Sequence, residues 1–79
     1  MARGHALPSD DYLNCLASNG VNINSPAPNF WLSLGETTVQ ALRNGYTTQY
    51  AVTALNNMGV RADVAQTVVA CSMQVMGTR

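Results

Sequence analysis

Lysine is missing from this sequence, and its only cationic side chains apart from a single histidine are four arginines, Arg3, Arg43, Arg61 and Arg79, scattered singly along the chain. Charge of either sign is scarce. Charged residues make up 10% of the chain and sum to a formal net charge of zero, against about a quarter charged in ordinary soluble domains. Non-specific nucleic-acid binding relies on clustered Lys or Arg neutralising several phosphates, so no nucleic-acid partner is expected. Histidine occurs once, as His5, ahead of the first helix signal. A Ser-His-Asp or Cys-His mechanism needs a base held in place by packing, which excludes hydrolase chemistry of those kinds from the expectations. No apolar run reaches the roughly 18 residues of a membrane span. The stretch Met1 to Ser9 lacks the apolar segment of a secretory signal and reads as a disordered lead, either native or left after a signal has been removed. Residues 10–77 follow as a single domain.

What is present is a hydrophobic fraction of 47%, balanced mainly by Asn, Thr, Ser and Gln. Ser9 with Asp10 and Asp11 makes a helix start, because a serine oxygen can accept from an orphan N–H and carboxylates suit the positive end of the dipole. That helix runs to about Asn19 and stops at Gly20, with Tyr12, Leu13 and Leu16 on its apolar side and Cys15 adjoining them. Val21 to Pro28 is a connector, with Val21 and Ile23 against the core. Asn29 caps a second helix, whose stripe Leu32, Gly35, Val39 and Leu42 has helical spacing and which ends at Asn44-Gly45. A third helix restarts at Thr47 or Thr48, carries Ala51, Val52, Leu55 and Met58, and closes at Gly59. The fourth covers about Ala62 to Met76, with Val64, Val68, Cys71 and Val75 in one line and Ala65, Val69 and Met76 beside it. Its β-branched residues lower helix propensity, so packing must hold it. A strand over Thr67 to Cys71 is the competing reading. The expected fold is all-α, a compact bundle or orthogonal array of about four short helices.

A core this small gives only marginal stability, which calls for a staple. Cys15 and Cys71 both lie on apolar helix sides, so packing draws them toward the same core and a disulfide between the first and last helices is expected. Two buried free cysteines acting as small apolar residues are the alternative. No catalytic constellation is visible. His5, Asp10, Asp11 and Cys15 offer ligand types without a recognised metal spacing, and Asp10 and Asp11 share an exposed first turn. Neither a metal nor a cofactor is expected. Phe30 and Trp31 open the second helix directly after the proline-rich connector, and aromatic anchors are enriched at partner surfaces, although a lone Trp also suits a core edge. Gly35 costs roughly 1 kcal/mol inside a helix, which suits either a close helix crossing or a pocket. Met58, Met73 and Met76 can fill the core or line an adaptable apolar site.

The segments Asp11-Tyr12-Leu13, Gly20-Val21, Leu34 to Gly45 (LGETTVQALRNG) and Ala65 to Met76 together resemble the DUF732 family, a small helical domain of unknown function found mainly in exported mycobacterial proteins. The resemblance covers roughly Asp10 to Gly77. Family members typically carry cysteines where Val39 and Met76 stand here, so the resemblance implies the same tactic with the staple moved to Cys15 and Cys71. It implies export, to a cell wall or an extracellular setting after signal removal, and brings no catalytic residues.

These readings converge on a non-enzymatic exported module, a monomer or weak homodimer, that binds a protein partner or small apolar ligand through Phe30, Trp31, Gly35 and Met58. The alternative is a cytosolic bacterial or phage regulatory or adaptor domain using the Met58-Gly59-Val60 turn, in the manner of a helix-turn-helix or a ubiquitin-associated domain. The former lacks basic residues on its recognition helix. The latter needs a further helix after Met76.

Overall fold

The structure, a computed structural model, describes residues 9–77. Four helices follow one another: α1 Ser9–Ser18, α2 Pro28–Arg43, α3 Thr48–Asn57 and α4 Ala62–Gly77. No strand occurs among the described residues, and Thr67 to Cys71 lies inside α4. Ser9, expected in the lead, is the first residue of α1, while the rest of the expected lead, His5 included, lies outside the described residues.

Local chemistry sets the helix ends. Three helices stop in the same way, each with a left-handed glycine at Gly20, Gly45 or Gly59. At the end of α3 the Gly59 amide donates to the Asn56 carbonyl at 3.0 Å and the Val60 amide to the Leu55 carbonyl at 3.1 Å. This paired arrangement satisfies carbonyls that the helix leaves free. The side chain of Asn56 adds a bond to the Val60 carbonyl at 3.0 Å. Thr47 caps α3 by accepting from the Tyr50 amide at 3.0 Å. The expected cap of α2 is corrected: Ala27 holds that position without a side-chain bond and Pro28 follows it, because a proline gives up an N–H that would be orphaned anyway and brings a helical φ.

α4 packs on each of the other three helices, and α1 and α3 do not meet. It buries Ala65, Val68, Val69, Cys71, Ser72 and Val75, so a helix whose β-branched residues lower its intrinsic propensity is held by packing on three sides. On α2 the buried face is Trp31, Leu34, Gly35, Thr38 and Val39. These spacings of three, four, seven and eight make a wide core-facing arc; the expected line through Leu32 and Leu42 is only half-buried. Thr38 can sit in the core because its hydroxyl donates to the Leu34 carbonyl at 2.9 Å within its own helix. Val21 and Ile23 pack against the core as expected. Met58 and Met73, by contrast, point outward and fill no core space.

The Sγ atoms of Cys15 and Cys71 stand 2.09 Å apart, at disulfide distance, with their Cα atoms 5.8 Å apart. They join α1 to α4. Beside this link the Asn19 amide nitrogen donates to the Cys15 carbonyl at 2.8 Å and lies 3.9 Å from both sulfurs. One buried polar atom, the Ser72 hydroxyl on the core face of α4, has no hydrogen-bond partner among the described residues.

Candidate functional site

Trp31 is held by two bonds that do not depend on its exposure. Its indole N–H donates to the Ser25 carbonyl in the connector at 3.2 Å, and its own carbonyl accepts from the Tyr12 hydroxyl at 2.7 Å. Tyr12 is wholly buried, and desolvation pushes its phenol pKa upward. The indole is therefore tied to the connector and the Trp31 backbone to α1, and only 9% of the residue remains exposed. Phe30 packs edge-on against it with ring centroids 5.0 Å apart at 83°, a favourable aromatic geometry, while keeping 41% of its surface exposed.

The α3–α4 turn faces this pair. Phe30, Trp31, Met58, Gly59, Val60, Arg61 and Val64 line an open groove of about 250 Å³. Met58 forms its flexible wall and is 60% exposed. The lining carries one charge, Arg61, which pairs with Asp63 at 3.1 Å on the exposed surface. Nothing in the groove can serve as a nucleophile or a proton-transfer base; its chemistry is apolar contact with one adaptable thioether. Three of the four residues expected at a partner surface, Phe30, Trp31 and Met58, thus converge on one groove. Gly35 is buried on α2 and lines neither this groove nor the two others described.

A second cleft of about 250 Å³ runs between α2 and α3, with Tyr46 and Tyr50 at its mouth. A third groove, about 390 Å³, lies beside the disulfide and is bordered by Asp11, Asn14, Ser18, Asn19 and Gln74. Sequence reading missed the tyrosine pair: one residue lies beyond the end of α2 and the other in the first turn of α3, so no helical stripe contains both. Two tyrosines four positions apart, on either side of Thr47-Thr48, were the available signal.

Among the described residues no group of three His, Cys, Asp or Glu side chains could hold a metal ion. No helix of the described residues is long and apolar enough to cross a membrane. The exposed positions of α4 carry Asp63, Gln66, Met73 and Gln74 and no basic side chain. No family model, curated protein or solved structure matches the chain.

Proposed function

We propose that this chain is a small non-enzymatic binding module that seats an apolar ligand, or an apolar side chain of a protein partner, in the groove of Phe30, Trp31 and Met58. The observation that carries this reading is that the consecutive Phe30 and Trp31 of α2, one half-exposed and one nearly buried, meet the exposed Met58 of a distant turn on one concavity. Rigid aromatic anchors beside an adaptable thioether are the combination that binding surfaces favour. We further propose that the module is exported, in keeping with the DUF732 resemblance and with cysteines placed for a disulfide, since such bonds persist in oxidising compartments.

Because Trp31 is the sole tryptophan, it reports on its own groove. Titration with N-phenylnaphthylamine should give saturable energy transfer from Trp31, lost in a Phe30→Ala, Met58→Ser double variant that still melts cooperatively. Absence of saturable transfer, or transfer undiminished in the double variant, would refute the groove. Export is tested separately by alkylating protein taken from its native compartment without reductant: two reactive thiols would favour the cytosolic adaptor reading.

A further inference from the structure

We infer that the cleft between α2 and α3 is a second binding site, one that takes an uncharged, hydroxyl-rich ligand of the oligosaccharide class beside a stacked pair of tyrosines. Tyr46 and Tyr50 stack with ring centroids 4.4 Å apart and an interplanar angle of 18°. About half of each residue stays exposed, 51% and 49%. Thr37, Gln40 and Asn44 of the α2 side form a polar rim beside them, over a floor that includes Ala51, Ala54 and Leu55.

Three properties select the ligand. No charged residue lines the cleft, so a phosphate, carboxylate or ammonium group would lose water without meeting an opposite charge. The rim consists of carboxamides and hydroxyls, groups that both donate and accept, and the side chains of Thr37, Gln40, Asn44, Tyr46 and Tyr50 make no hydrogen bond to the described residues. Stacking covers the inner ring faces, and the exposed outer half of the pair adds a flat apolar surface. A sugar ring matches all three, with an apolar C–H face for the tyrosines, an edge of hydroxyls for the rim and no charge. A purely aliphatic ligand would bury the rim's donors and acceptors without partners. Met58 borders both this cleft and the Phe30–Trp31 groove, so it is left unaltered in the test; Phe30 borders the groove alone, which lets the two sites fail or succeed independently.

The test titrates the isotope-labelled full chain with cellotetraose, maltotetraose and chitotetraose, alongside an oligogalacturonate as an acidic control and a neutral proline-rich peptide. The expected result is saturable movement of the Gln40, Asn44, Tyr46 and Tyr50 resonances with at least one neutral oligosaccharide. Tyr50→Ala should weaken that binding about tenfold or more, a difference of roughly 1.4 kcal/mol; Gln40→Ala should weaken it less, with the platform intact, and Phe30→Ala should leave it unchanged. All three altered side chains are exposed, so the variants should fold. No saturable shift with any neutral oligosaccharide, equal affinity in Tyr50→Ala, or stronger movement of the same resonances by the peptide or the acidic control would overturn the assignment.

Discussion

The seam between α1 and α4 and the seam between α2 and α3 are built on opposite terms. The first is closed covalently by a sulfur–sulfur link, with a groove lying beside that link. The second is open: Tyr46, Tyr50 and Met58 stand half-exposed or more along it, and no bond between side chains crosses it. Both belong to one domain organised around α4. A chain this short can leave such clefts unfilled only where another part of the molecule supplies the missing stability, and the covalent link between α1 and α4 is the feature placed to do so.

The strongest way to break that comparison is to remove the link. A Cys15→Ser, Cys71→Ser double variant should lose about 4 kcal/mol, the loop-entropy value for cysteines separated by 56 positions, and denaturant titration reads this directly. A loss under about 1 kcal/mol would mean the closed seam does not support the open one. Next comes Gly35→Leu. Gly35 is buried on the face of α2 that meets the core, so overpacking should cost roughly 1 to 3 kcal/mol despite the gain in helix propensity; an unchanged or raised Tm would point to spare room there.

Tyr12→Phe sharpens the comparison from a different side, where α1 meets α2. Loss of the bond to the Trp31 carbonyl should cost about 1 kcal/mol near neutral pH. Burial raises the pKa of this phenol in the folded protein, so the folded state holds the proton longer than the unfolded chain does. The advantage of Tyr12 over Phe is therefore complete below about pH 10, the unfolded value, and shrinks as pH rises above it. Melting curves of both proteins across that range should converge; a constant gap would contradict the burial. The smallest effect belongs to the open seam, where Met58→Ser should change stability by no more than about 0.5 kcal/mol while weakening apolar probe binding.

The helix boundaries were legible because their causes are local. A left-handed glycine after each of three helices and a threonine cap need only a few neighbouring residues, and the expected ends lie within a residue or two of those observed. The pairing of Cys15 with Cys71 was also legible, since two cysteines on apolar faces leave a single intramolecular choice. The face of α2 was read off by part of a turn. Thr38 looks polar in sequence, but its hydroxyl is satisfied within its own helix and its methyl joins the core, which rotates the buried arc toward Trp31 and Leu34. Met58 carried the spacing of a core residue and became a helix cap instead, because the turn after it carries Val60 inward. The tyrosine platform depends on how two helices meet across a link, which no single-helix periodicity encodes. The Ser72 hydroxyl is likewise invisible in sequence, since only packing removes its partners.

The placement of the two cysteines also fixes what a single cut can do. With Cys15 in the first helix and Cys71 in the last, the chain between them is a covalent ring that contains all three links between helices. A protease that nicks any one of those links opens the ring but releases no fragment, and the two pieces remain tethered at high effective concentration, able to re-form their contacts. In an environment rich in proteases the molecule would thus meet its first cleavage with its helices still attached to one another, and only a second cut, or a reductant, would let a piece diffuse away.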